Sequence, residues 1–281
     1  MVAIVTDSTS DLDGERARAL GVDVVPLFVN FGDVRYRDRV DLSLDEFYRK
    51  LAGEKLLPTT AQPTPAMFED VFRPHVEAGQ PIVCVTIMAS LSGTINAATA
   101  AARTFPAAEI HLVDSGSVTG GLALEVEHAS ALARAGANAD AIVAALARDV
   151  QVLRGYATVP DLSHAVRTGR VSRAQAFVGS LVRIVPVLRI DSGAIAEHAR
   201  VRTFGRAVET MIDAVVADAN RADGARVCVV HSHSADEAQR IVVRLRERIL
   251  TRLEGLELLE AGPVIGTHAG QGAVGIFIIP G

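Results

Sequence analysis

The chain contains no tryptophan, and aromatic residues make up only 4% of its 281 positions. Proteins that grip single-stranded nucleic acid stack bases on aromatic platforms, so that class is not expected here. Positive charge is not in excess either. The 28 Lys and Arg residues face 33 Asp and Glu, a formal charge of −5, which argues against a general polyanion binder and against a nucleic-acid partner. Cysteine is scarce: Cys84 and Cys228 both lie inside apolar runs. Buried thiols in a reducing compartment are expected from them, not a disulfide or a metal site. No window has the length and apolarity of a membrane span, and no basic, export-type leader precedes the apolar residues 2–5. These absences predict a cytoplasmic protein with at most transient contact with a membrane surface.

What is present is aliphatic. Hydrophobic residues reach 49%, and a chain of this length can bury a sizeable core. Residues 82–87 form an apolar, β-branched run that predicts a buried strand, and the Ala-rich run from Thr94 to Arg103 predicts a helix after it. Two serines and a glycine, Ser90, Ser92 and Gly93, stand at the junction. A helix start carries unpaired N–H groups and the positive end of the macrodipole, so it suits a carboxylate or a phosphate. For a lone serine there, a plain N-cap is the ordinary role.

Two other junctions repeat this chemistry. A strand over 2–5 runs into Thr6-Asp7-Ser8-Thr9-Ser10-Asp11 before a helix at 13–20, and a strand over 110–113 runs into Asp114-Ser115-Gly116-Ser117 before a helix at 118–134. A further helix is predicted over 139–152. Strands alternating with helices imply parallel β-α-β units, which bind ligands beyond the carboxyl ends of their strands. Between these junctions the pattern predicts a strand over 24–29, a hairpin or loop over 32–41, and a helix opened by the capping box Ser43–Glu46. Pro65 is placed to begin another helix capped by Thr64, whereas Thr59 and Thr60 serve no evident element.

Beyond about residue 153 the pattern changes. Helical runs at 162–168 and 173–182 precede strands at 184–190 and 195–201, joined by the hairpin-type turn Asp191-Ser192-Gly193. A helix at 204–220, a strand at 226–231, a helix capped by Ser234 and Glu237, and strands at 256–259 and 275–279 follow. The sequence therefore predicts an α/β protein of two domains: 1–152 with a parallel sheet, and 153–281 of α+β type.

The glycine-rich stretch 262–273 reads as a loop that is neither a P-loop nor a dinucleotide fingerprint. His268 lies within it and could pair with an anion or act in acid–base chemistry. His231 and His233 point to opposite faces if extended, so they read as a helix lead-in and not as metal ligands. Ser92 and His268 invite comparison with a hydrolase pair, but the residue two before Ser92 is Ser90 and no Gly-x-Ser-x-Gly elbow exists.

Several stretches together resemble the DegV family of bacterial fatty-acid-binding proteins. They are residues 5–12 (VTDSTSDL), 59–64 (TTAQPT), 90–94 (SLSGT), 113–115 (VDS), 169–172 (GRVS), 201–203 (VRT) and 262–270 (GPVIGTHAG), in family order from end to end. The resemblance implies a two-domain fold that buries one long-chain fatty acid between its domains and partners a fatty acid kinase. It implies that Thr60, Ser92, Gly93 and His268 hold the carboxylate, with Arg202 of the Val-Arg-Thr motif. Asp7 and Ser8 would shape the floor of the site. Ala89 stands where many members carry a second serine, and Ala61 removes another hydroxyl. Arg170 and Arg173 are the implied kinase-docking residues.

The physics fits. A 16-carbon chain buries about 14 methylenes, worth ~11 kcal/mol gross at ~0.8 kcal/mol each. Its buried carboxylate needs several donors. The reading is a non-catalytic acyl carrier with no cofactor, no metal and no ATP site of its own, which presents the carboxylate for acyl-phosphate formation. Two rivals stand beside it: a Ser92/His268 acyl hydrolase or transferase, and a carrier of another small carboxylate or lipid.

Overall fold

A computed structural model describes residues 1–53, 57–160, 164, 168–169 and 184–281. The helical runs read at 162–168 and 173–182 fall largely outside the described residues, as do Arg170 and Arg173.

Four strands form a parallel sheet in the order β2-β1-β6-β7: β1 (Ala3–Asp7), β2 (Val22–Val25), β6 (Ile82–Thr86) and β7 (Ile110–Asp114). Every residue of β6 is buried, as a parallel strand covered on both faces requires. Its Ile82 and Cys84 pack with Phe68 and Phe72 of helix α3 (Pro65–Glu77) and with the alanines of α4 (Thr94–Ala102). Val83 and Val85 face the other way, toward α5 (Gly120–Arg134).

A second sheet has the order β10-β9-β8-β13-β11-β12, from β8 (Arg154–Thr158), β9 (Val185–Asp191), β10 (Ala194–Val201), β11 (Gly224–His231), β12 (Arg252–Glu260) and β13 (Val274–Pro280). It is antiparallel apart from the β11–β12 pair. The β9–β10 turn forms as its residues require, with positive φ at Ser192 (48°) and Gly193 (76°). Helix α5 and its neighbour α6 (Ala139–Val152) lie between the two sheets. Leu122 and Val126 of α5 share one apolar cluster with Val85 of the first sheet and with Val230 and Phe277 of the second. The approach is close. A Cβ on Gly120 would sit 2.7 Å from Val230 and 2.9 Å from Phe277, so the helix can begin there only with glycine.

The structure corrects four local expectations. The strand read over 24–29 is two strands in different sheets, because Pro26 lacks the N–H to continue the ladder. The second, β3 (Phe28–Phe31), belongs to a small antiparallel sheet with β4 (Val34–Arg37) and β5 (Thr59–Ala61). Thr59 and Thr60 therefore do serve an element: Val29 pairs with Thr60 across that sheet. The glycine-rich stretch is not a loop throughout. With Pro263 at its first position it forms a short helix, Pro263–Ala269. Gly266 is needed there because a Cβ would meet Phe47 at 2.6 Å. Of the predicted caps, the Ser43–Glu46 box forms. Thr64 and Ser234 make no side-chain cap bond, and the Ser234 N–H donates to His231 Nδ1 instead.

Both cysteines are free and buried. Among the described residues no helix is long and apolar enough to cross a membrane, and no group of three or more His, Cys, Asp or Glu is placed to hold a metal.

Candidate functional site

Beyond the carboxyl ends of the parallel strands, against the six-stranded sheet, lies a cavity of about 260 Å³. Its wall is mostly aliphatic, built from Leu27, Ile87, Val118, Leu188, Ile190 and Ile265, with Phe277 as an aromatic face. β1 and β6 end beneath it, and the short helix Pro263–Ala269, here α7 for reference, forms one side.

Four sequence-predicted residues line this cavity together: Thr60, Ser92, Gly93 and His268. They come from three elements. Thr60 is held by its β3 ladder, Ser92 and Gly93 stand at the start of α4, and His268 occupies the last turn of α7. Thr60 Oγ1 lies 2.9 Å from His268 Nε2, across 208 residues of sequence. The Ser92 hydroxyl is 2.9 Å from Thr94 Oγ1 and accepts the Thr94 N–H at 3.3 Å. The helix cap itself is Gly93, not Ser92. His268 thus meets Thr60, while Ser92 is engaged with the first helical residue. A carboxylate here would meet two hydroxyls, an imidazole and the amino end of a nine-residue helix.

Gln62 also lines the cavity, and the sequence reading gave it no role. A Cβ on Gly93 would lie 2.3 Å from Gln62 Oε1, so glycine is what lets this amide lie over the helix start.

Asp7, Ser8 and Arg202 are not on the cavity wall. The first two stand behind it. Asp7 Oδ2 accepts the Ile87 N–H at 2.8 Å, and Ser8 Oγ accepts the Leu27 N–H at 3.0 Å while donating to Asp38 Oδ2 at 2.7 Å. Both fix residues that line the cavity. Arg202 follows β10 and is exposed, where a strand-end guanidinium stays hydrated.

A buried acid network missed by the sequence reading anchors α7. Asp11 Oδ1 accepts the Gly262 N–H at 2.7 Å, and Asp38 Oδ1 accepts the Val264 N–H at 3.4 Å. Thr119, a cavity residue, donates its hydroxyl to Asp11. Arg39 lies 3.5 Å from Asp11 and donates to the Glu260 carbonyl. Burial pushes Asp7 up to about 6 and Asp38 up to about 7, against hydrogen bonds that favour their charged forms. Burial also raises Asp11, opposed by the Arg39 charge. The charged stretch 32–41 reads as a hairpin or loop in sequence, so nothing there marks Asp38 as buried.

Comparison with known proteins places this geometry among relatives. A DegV domain-containing protein of Halalkalibacterium halodurans is 34% identical over 276 residues, spanning 98% of this chain and 97% of its own. A solved structure titled as fatty acid binding of a DegV family protein from Thermus thermophilus superposes with a TM-score of 0.91 at 32% identity, covering 99% of both chains. A stearic acid-binding protein from Eubacterium ventriosum also gives 0.91, at 28% identity, over 100% of this chain and 98% of its own. The family described as uncharacterised proteins of the DegV type matches residues 1–281. With that match over its whole length, the chain belongs to the DegV family.

Proposed function

We propose that the cavity binds one long-chain fatty acid, with its carboxylate at Thr60, Ser92, Gly93 and His268 and its chain along the aliphatic wall. The observation that carries this reading is an apolar cavity furnished with one cluster of hydroxyls, an imidazole and a helix start. Methylene burial supplies ~0.8 kcal/mol per group, and the donors offset the cost of burying a carboxylate. The fatty-acid-binding relatives from Thermus thermophilus and Eubacterium ventriosum support it.

The segments 1–152 and 153–281 act as two domains that close over the chain, in the cytoplasm. The protein is a carrier with no cofactor and no ATP site of its own. It presents the carboxylate to a separate fatty acid kinase, which makes the acyl phosphate. Asp7 and Ser8 hold the cavity floor, and Arg202 is available at the surface for the partner.

The test is mass spectrometry of an organic extract of the purified protein, followed by titration with the acid found. One fatty acid per chain is expected. No lipid in repeated preparations and no binding on titration would end the reading. A covalent acyl group on Ser92 would replace it with the hydrolase or transferase. A kinase assay with the loaded protein as sole acyl source tests the partner.

A further inference from the structure

Glu125 of α5 is 0% exposed, and neither of its carboxyl oxygens has a hydrogen-bond partner among the described residues. It stands four residues after Gly121, on the stripe of the helix that meets Phe277, whose ring would be 3.0 Å from a Cβ on that glycine. The charged groups facing it are Asp149 of α6, Asp114 of β7 and Arg226 of β11. Arg226 is already committed: it donates to Asp149 Oδ1 at 3.0 Å and to the Leu124 carbonyl at 3.5 Å. Asp149 also meets His128 Nδ1 at 2.5 Å, and Asp114 accepts the N–H groups of Ala89 and Gly116. Arg16 of the first helix is turned to Glu127 and Glu257, Asp7 of β1 is turned to Ile87, and β6 and β13 carry no charged residue.

A carboxylate without donors is not tolerated in such a place. Burial first, then Asp149 and Asp114, raise the Glu125 carboxyl well above its ordinary value, against Arg226, so the buried position favours the protonated form.

We propose that Glu125 is a proton latch: its uncharged carboxyl lets α5 and α6 pack shut against the six-stranded sheet, and its ionisation favours an opened state in which the carboxylate reaches water. The seam it controls borders the cavity. Val118 and Thr119, just ahead of α5, and Phe277, packed on Gly120 and Gly121, all line it. Opening the seam therefore loosens the wall around a bound chain, a consequence that rests on the fatty-acid reading above. For a group whose closed-state value is raised, the closed state holds its full advantage below the ordinary Glu value. It loses that advantage as pH rises through the raised one, and the open population grows up to about tenfold per pH unit between them.

The test compares the full chain with Glu125→Gln and Glu125→Leu, which remove the charge with and without the polar group. Tm is followed from pH 5 to 9, and release of bound cis-parinarate is followed by stopped flow over the same range. Asp7, Asp11 and Asp38 titrate in all three proteins, so the difference between them is what reports Glu125. The Tm advantage of Glu125→Gln over the parent is expected to be smallest at pH 5 and to widen steadily with pH. Release from the parent should accelerate with pH more steeply than from the variant. A Tm gap that stays constant with pH overturns the latch, and so does equal acceleration of release in both. If no protein binds cis-parinarate, the fatty-acid reading fails while the Tm comparison still decides the latch. Should Glu125→Gln not fold, Glu125→Leu gives the same comparison.

Discussion

Two groups of polar side chains stand at the ends of the parallel strands, and they differ in what their oxygens and nitrogens face. Asp7, Asp11 and Asp38 are buried and turned to backbone N–H groups, to hydroxyls and to Arg39. Thr60, Ser92 and His268 stand on a cavity wall, with bonds mainly to one another and to the adjoining helix residue. Polar side chains around one cavity thus stand in two different settings. Where the neighbouring backbone supplies the partner, the group holds the scaffold. Where open space stands in front, the group lines the cavity.

The sharpest way to break this contrast is at Asp11. Replacing it by Ala strands the Gly262 N–H and leaves Arg39 without its buried counter-charge, so a loss of about 3–5 kcal/mol is expected in urea denaturation. Asp11→Asn, which keeps an acceptor and suits the left-handed backbone at φ 57°, should recover much of it. Equal losses for both variants would remove the anchoring role.

At the cavity the effects should fall on binding. Ser92→Ala and His268→Ala are each expected to weaken fatty-acid binding by about tenfold, the worth of one hydrogen bond to a charged group, while Tm stays near the parent value. Unchanged retention in both variants would clear these residues of the head-group role. Gly93→Ala should also weaken binding by displacing the Gln62 amide, and adding Gln62→Ala should relieve the clash. A double variant no better than Gly93→Ala alone would show that the helix start, not Gln62, sets the need for glycine.

The scaffold also predicts a pH trend. Asp7 and Asp38 are raised by burial to about 6 and about 7, so the stability they contribute is full below the ordinary Asp value. It is lost as pH climbs through those values, at up to about 1.4 kcal/mol per pH unit for each group. Asp38→Asn should flatten the upper part of that slope between pH 4 and 7 in urea titrations. The smallest effect is expected from Arg202→Ala. Its exposed guanidinium does not line the cavity, so the Kd for fatty acid should not change, and a tenfold loss would bring Arg202 into the site.

Much of the fold was legible locally. The apolar run at 82–87 and the alanines after Thr94 could hardly form anything but a buried strand and a close-packed helix. Legibility failed where local and tertiary signals diverged. Thr59 and Thr60 have no apolar alternation to mark a strand, and pair with β3 only because that strand is presented to them. The glycines masked the helix at Pro263, because the small size of Gly262 and Gly266 serves close contacts with Arg39 and with Phe47 and not loop flexibility.

By itself the sequence determined many of the strands and helices, the aliphatic interior and the family resemblance, since periodicity, β-branching and motif order are properties of neighbouring residues. Only the tertiary structure decided that Thr60 and His268 touch, that Asp7 and Ser8 stand behind the wall, and that Glu125 is shut away with no hydrogen-bond partner among the described residues. Those facts depend on which surfaces meet when the two sheets close on α5. Burial and hydrogen bonding between distant residues are set by that packing and leave no local trace in the chain.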